Sequence, residues 1–156
     1  MFAACQKAPW LSARRRTKRP TRRILRRPTC PSKEQTQRLS RTDARWLELA
    51  RKVAESSEMN KRHGAVVVKS GRVLSTGINK FRNSISIIET HNIKRHCSVH
   101  AEVDALSRVA DARGATIYVA RVNRQNQERM SRPCNNCYAA IVRAGINKIV
   151  YTTGDL

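Results

Sequence analysis

"ATIYVARV" (residues 115–122), "CNNCYAAIVRAG" (134–145) and "NKIVYTT" (147–153) together decide the fold. The first and last are short runs rich in apolar and β-branched residues, the pattern of buried strands. The middle stretch reads as a helix that closes at Gly145, a residue suited to the position just past a helix end. Strand, helix, strand in that order calls for a crossover connection, and a crossover lays its helix on a face of the sheet. Between the first strand and the helix, "NRQNQERMSR" (123–132) is a polar excursion of the kind that forms a hairpin tip.

The same alternation extends upstream. Val103, Leu106, Val109 and Ala110 recur at helical spacing between Val99 and Arg113, with Gly114 placed as the C-cap. "GAVVVKSGRVLSTGIN" (64–79) is two short β-branched runs around Ser70-Gly71, a hairpin with a tight turn. Asp43 is placed as an N-cap, and Trp46, Leu47, Ala50, Val53 and Ala54 follow it as an apolar stripe. "FRNSISIIETHNIKRHC" (81–97) is mostly polar with isolated Ile residues and reads as a loop with some helix. The predicted order is helix, hairpin, helix, strand, helix, strand, an α/β domain over residues 43–156 with no internal repeat.

A chain of 156 residues can bury one ordinary core but not two. No apolar run approaches the roughly 18 residues of a membrane span, so no membrane partner is expected. Lys and Arg number 32 against 11 Asp and Glu, a net charge of +21. Residues 1–42 hold 13 of those basic residues against the single acid Glu34. "ARRRTKRPTRRILRRPTCPSKEQ" (13–35) is rich in Arg and Pro and lacks periodicity, so residues 1–42 read as a basic tail that is disordered when free. Four roles fit it: an anchor on nucleic acid through counterion release, an organellar targeting segment, a nuclear-import patch, or sequence upstream of the true start. The expected location is the cytoplasm (a host's, if the chain is virus-encoded) unless the tail directs it to an organelle or the nucleus.

Cysteines stand at 5, 30, 97, 134 and 137. Their number is odd, only two are close together, and no signal-like apolar segment precedes them, which argues against the disulfide framework of a secreted domain. Cys134 and Cys137 read instead as metal ligands or as a redox pair in a reducing compartment. Three residues apart at the start of a helix, they share one face, and the positive end of the helix favours thiolate over thiol. His100 is placed in the first turn of its own helix, two residues before Glu102. Two thiolates and one neutral imidazole make a three-ligand set for zinc (Zn2+), leaving the fourth position open as catalytic sites do. Such a zinc lowers the pKa of its water from about 15.7 to roughly 7. Glu102 points away from the ligand direction and would serve as the general acid and base.

His100-Ala101-Glu102 followed by Pro133-Cys134-x-x-Cys137 resembles the signature of the zinc-dependent nucleoside and nucleotide deaminases. The resemblance covers roughly residues 43–153: "HGAVVVKSGRVLSTGIN" is similar to the family's first hairpin, and "ATIYV" and "AGINKIVY" to its later strands. A His as first ligand places the chain nearer the deoxycytidylate and tRNA-adenosine branches than the small tetrameric cytidine deaminases. The resemblance implies a three-layer α/β/α cytidine-deaminase-like fold with a mixed central sheet. It also implies hydrolytic deamination of a base amine, with His100, Cys134 and Cys137 holding zinc and Glu102 moving protons. It assigns Asn79 to the sugar or base, Ala65 to the lining of the base pocket and the Ala101 backbone to gripping the base. Arg132, beside the ligand loop, is a candidate phosphate contact.

The chain departs from that pattern in three places. Residues 123–132 separate the strand from Pro133, where the tRNA-adenosine enzymes are nearly contiguous. The segment between Asn79 and His100 is variable in the family. The chain also ends at Leu156, where many relatives continue, which fits a minimal version of the domain or an incomplete C-terminus.

The expected function is deamination of a cytosine-type nucleotide, with deoxycytidylate as first substrate. Two alternatives stand beside it: deamination of cytosine or adenosine in single-stranded DNA or RNA, and a catalytically silent, zinc-stabilised nucleic-acid-binding protein. His96 or Cys97 as a fourth ligand would make the zinc structural, and His91, His96 and Cys97 could hold a second metal. The expected partners are the nucleotide substrate, nucleic acid through the basic tail, and a second copy of the chain, since relatives often pair.

Overall fold

Ser40 starts the first helix. Its hydroxyl accepts from the Asp43 N–H at 3.0 Å while the Asp43 carboxylate reaches back to Ser40, a reciprocal capping box that satisfies two amides the helix leaves unpaired. The computed structural model describes residues 39–82 and 98–154. Helix α1 spans Arg41–Glu55, so Asp43 is the third helical residue and not the cap itself. A carboxylate can fill either place, and Ser40 with its neighbour three residues on settles which.

Strands β1 (Arg62–Lys69) and β2 (Arg72–Ile78) form the expected hairpin, turning on Ser70 and Gly71, both at positive φ. Two very short strands, β3 (Lys80–Phe81) and β4 (Ser98–Val99), then pair with each other. Helix α2 is Ala101–Leu106, β5 is Thr116–Val122, β6 is Glu128–Arg129, helix α3 is Asn135–Arg143 and β7 is Lys148–Tyr151.

The main sheet is mixed. β5 lies at its centre, antiparallel to β1 on one edge and parallel to β7 on the other, with β6 extending that second edge beyond β7. Strand alternation sorts the core into two layers. Val66, Val68, Tyr118, Ala120 and Val150 pack with Leu47 and Ala50 of α1. Ala65, Val67, Ile117, Val119, Ile149 and Tyr151 pack on the opposite face with Ala101 and Ala105 of α2 and Ile141 of α3. The architecture is therefore three-layer α/β/α with a mixed sheet, as the family resemblance implied.

Helix α2 corrects the sequence expectation. It ends at Leu106 and not near Gly114, because the Ser107 hydroxyl turns back to the Asp104 carbonyl and the next amides bond three residues back instead of four. Its inward face is Ala101 and Ala105, whereas Val103 and Ala110 are exposed. Val109 and Ala112 still reach the core from the irregular segment that follows. Gly114 keeps a positive φ and donates to the Gly145 carbonyl, serving as a loop residue. Residues 123–132 do fold back as a hairpin: Arg62 donates to the Asn123 carbonyl and to Asn126 Oδ1, and Arg124 to Asn60. The tail (1–38) and most of residues 81–97 lie outside the described residues, as do His91, His96 and Cys97. No helix among the described residues is long and apolar enough to cross a membrane.

Candidate metal centre and cleft

Two helices begin at the same point in space, and neither begins on a conventional cap. His100 is the N-cap of α2 and Cys134 the N-cap of α3; both have extended backbone, and neither side chain bonds a helix amide. A Ser or Asp in those places would contribute roughly 1 kcal/mol of helix capping. The imidazole and the thiol give that up and point at each other instead. Both residues thus stand one step earlier than the sequence suggested, and Pro133 precedes the cap.

Cys137, three residues into α3, completes the group. His100 Nδ1 lies 3.2 Å from Cys137 Sγ and 3.6 Å from Cys134 Sγ, and the three ligand atoms fall within 4.8 Å of one another. The donor set suits zinc. For Zn–S of about 2.3 Å and Zn–N of about 2.05 Å, a tetrahedron has N···S edges of about 3.6 Å. Three ligands on the protein leave one vertex, and this is the one such group among the described residues.

Burial pushes the Cys137 thiol far above the ordinary cysteine range, with the nearby Glu102 charge and Cys134 adding to the effect. A zinc ion held by His100, Cys134 and Cys137 would supply the positive charge that takes the place of the proton.

Each of the two helices is tied down by residues outside the signature. Ser75 donates to the Ala105 carbonyl at 2.8 Å, and the buried Asp104 carboxylate accepts from the Ile78 N–H, Lys80 and Arg108. Gly77 leaves the space α2 needs: a Cβ there would stand 2.9 Å from the Ala105 Cα and closer still to the Ala101 carbonyl. On the other side, Ser131 donates to the Val119 carbonyl at 2.7 Å, and its N–H bonds the Thr152 carbonyl. Those bonds bring Arg132 and Pro133 off the sheet edge and up to Cys134.

A cleft of about 320 Å³ opens over His100 and Cys134. Glu102, only 6% exposed, lines it, as do Ala101, Asn79, Arg132, His63, Lys61, Met59, Ser98 and Ser131. His63 is held neutral, its pKa lowered to about 4 by burial and then by the charges of Arg121 and His100. All six polar site residues singled out in the sequence thus converge: His100, Glu102, Cys134, Asn79 and Arg132 line the cleft, and Cys137 lies beside His100.

Two substrate-side expectations look different in the structure. Ala65 is fully buried in the core under α2 and does not line the cleft. Asn79 is on the cleft wall, but its amide is occupied by the protein. Oδ1 accepts from the Ser57 hydroxyl and the His63 N–H, each at 2.7 Å, and Nδ2 donates to the Lys61 carbonyl at 2.7 Å and to Met59 Sδ. Lys61, Met59, Ser57 and Ser131 carry no motif, and only their place in the fold reveals them.

Residues 40–153 match the model of the cytidine and deoxycytidylate deaminase zinc-binding region. An uncharacterized deaminase in the luxG 3′ region of Aliivibrio fischeri is 29% identical over 116 residues, 71% of this chain and 72% of its own. The riboflavin biosynthesis protein RibD of Aquifex aeolicus is 31% identical over 116 residues, 70% of this chain but 26% of the longer protein. Among solved structures, the dCMP deaminase of the cyanophage S-TIM5 in apo form shares the fold at TM-score 0.51 and 22% identity, over 71% of this chain and 82% of that one. RibD of Acinetobacter baumannii, form 1, does so at TM-score 0.50 and 25% identity, over 72% of this chain and 28% of that one. With its three-layer fold and its His-Cys-Cys group facing a buried glutamate, the chain belongs to the cytidine and deoxycytidylate deaminase family of zinc-binding domains.

Proposed function

We propose that the chain catalyses zinc-dependent hydrolytic deamination of a cytosine-type nucleotide, with deoxycytidylate as the first substrate to test. The observation that carries this reading is the cleft itself. It joins the His100, Cys134 and Cys137 group, the buried Glu102 and two cationic side chains, Lys61 and Arg132, in one space. That volume suits one nucleotide, since small-ligand sites begin near 300 Å³. His100, Cys134 and Cys137 would hold the zinc, which supplies a nucleophilic water at neutral pH.

The chain's own residues do the rest. Glu102 accepts the proton of the water that adds to C4 and passes it to the ring nitrogen. It then delivers the water's second proton to the amine, so that ammonia leaves as the C4 carbonyl forms. Water and the amine give the carbonyl and ammonia, with no oxidant or reductant. Burial keeps that shuttle out of competing solvent contact. The Ala101 backbone sits beside the base position, while Lys61 and Arg132 meet the phosphate. A silent binding protein would have no use for a buried carboxylate in this place.

Ammonia release from deoxycytidylate, cytidine and deoxycytidine by the zinc-loaded full chain tests the reading. Glu102→Gln should keep zinc and fold while the rate falls by about 10²–10⁴-fold. Cys134→Ala should lose zinc and unfold earlier. Unchanged turnover in Glu102→Gln, or full zinc occupancy in Cys134→Ala, would sink the assignment.

A further inference from the structure

Among the described residues, the acids that form ion pairs do not line the cleft. Asp43, Glu48, Glu55, Asp104 and Asp111 pair with Lys148, Arg51, Lys80, Arg108, Lys69 and Arg113. None of those pairs includes Lys61, Arg121, Arg129 or Arg132, which have no carboxylate partner among the described residues. These four are contiguous in the fold. His63 stands opposite Arg121 across the β1–β5 ladder, and Arg121 stands opposite Arg129 across β5–β6. Directly opposed residues share a face. This row carries the same parity along β1 and β5 as Ala65, Val67, Ile117 and Val119, so it lies on the face that bears α2, α3 and the cleft. Glu128, the nearest acid in sequence, alternates to the other face. Arg121 Nε is buried and has no hydrogen-bond partner. Across the three strands the row measures two strand spacings, about 10 Å. It starts at His63, inside the cleft.

Taking the deaminase reading as given, we infer that this cationic row binds the phosphodiester backbone of a single strand whose target nucleotide occupies the cleft. A mononucleotide carries its phosphate within reach of Lys61 and Arg132 and gives Arg121 and Arg129 nothing to bind. A strand continues past the sugar and places further phosphates along the row. A base paired in a duplex cannot enter a cleft of this size without leaving its stack, so the favoured polymer is single-stranded. Phosphate contacts of this kind hold register without reading sequence.

The test is binding of a fluorescently labelled single-stranded oligonucleotide to the full zinc-loaded chain over a series of salt concentrations. Each lost phosphate contact lowers the slope of log affinity against log salt by about 0.7 for a single strand. Arg129→Gln should lower the slope by about that amount, and Arg121→Gln/Arg129→Gln by about twice it. Arg143→Gln, at the opposite end of α3, should leave the slope where it is. That control separates the row from the general charge of the chain and from residues 1–42. The ratio of kcat/KM for cytosine in the oligonucleotide to kcat/KM for deoxycytidylate should fall in the same variants.

Arg121 and Arg129 are both half-buried, and Arg129 lies on the two-residue edge strand β6, so the single variant Arg129→Gln carries the test if the double variant fails to fold. An unchanged slope in Arg129→Gln would overturn the row, as would equally tight duplex binding with the same loss. Deoxycytidylate turnover with no oligonucleotide response would refute the strand and leave the deaminase intact. Absence of ammonia from every substrate, with the slope change present, would do the reverse.

Discussion

At the scale of single residues, Asn79 carries the sharpest test. Substrate contact and wall-building make different demands on it. Here Oδ1 accepts from the His63 N–H and faces the Ser57 hydroxyl, whose one proton it shares with the Asn79 main-chain carbonyl, while Nδ2 donates to the Lys61 carbonyl and Met59 Sδ, so the protein itself engages the amide. Asn79 ties the 57–63 loop to the end of β2, and we expect it to act by positioning that loop. Asn79→Asp keeps the shape but turns two donors into an acceptor facing the Lys61 carbonyl. It should cost about 1–3 kcal/mol, the penalty for a buried group left unpaired. In a domain of this size that is a fall in Tm of roughly 4 °C or more, measured without substrate. Ser57→Ala should move Tm in the same direction by less. A normal Tm with a raised KM in Asn79→Asp would return the side chain to direct substrate binding.

At the scale of elements, the site depends on how closely α2 approaches the sheet. Gly77 has no side chain to hold the helix off, and the helix carries His100 at its start and Glu102 in its first turn. Gly77→Ala should act as overpacking, at about 1–3 kcal/mol of stability. It should also reduce zinc affinity and turnover more than an equally destabilising change in α1, because the added methyl displaces the helix that bears a ligand and the acid. Comparing Gly77→Ala with Leu47→Ala at matched unfolding midpoints checks this; equal losses of zinc in the two would refute the coupling.

The same helix shows how far sequence could carry the reading. Strands β1, β2, β5 and β7, the α1 stripe, the Ser70-Gly71 turn and Gly145 were legible because periodicity and positive-φ residues act locally. The His-x-Glu and Pro-Cys-x-x-Cys spacing was legible because zinc imposes it. The length of α2 was not: Val103 kept the apolar rhythm while facing solvent, and a single Ser107 hydroxyl ended the helix. Lys61, Ser131 and Arg121 were equally silent, since tertiary placement alone brings a β1 entry loop and a β6 exit to one cleft.

At the scale of the whole molecule, one carboxylate joins all that lies on the far side of the sheet. Asp43 caps α1 with Ser40, accepts from the Tyr118 hydroxyl of β5 at 2.9 Å and receives Lys148 at the start of β7 at 2.8 Å. Burial raises its pKa, but the bonds from Lys148, Ser40 and Tyr118 outweigh that and hold it below the usual carboxylate range. Tyr118 moves the other way: burial first, then the Asp43 bond and charge, push its hydroxyl well above the ordinary tyrosine range. The depressed carboxylate contributes stability that is complete above the unfolded value of about 3.9 and is lost as pH falls through the lower folded value. The raised phenol contributes stability that is complete below about 10 and is lost as pH rises beyond it toward the folded value. The native state should therefore weaken at both ends of the pH range through the same contact.

Asp43→Asn should cost about 1–3 kcal/mol at neutral pH, flatten the acid limb and take from the alkaline limb the part due to the Asp43 bond and charge, leaving the part due to burial of Tyr118. The buried Asp104, held low by Lys80, Arg108 and the Ile78 N–H against the opposing effect of burial, leaves part of the acid slope in place. Urea midpoints of the full chain and of Asp43→Asn from pH 3 to 11 measure the difference, and subtracting one profile from the other removes the proton-linked release of zinc common to both. A difference that stays constant across the whole range would show that Asp43 contributes through its cap and its shape alone, with no linked charge.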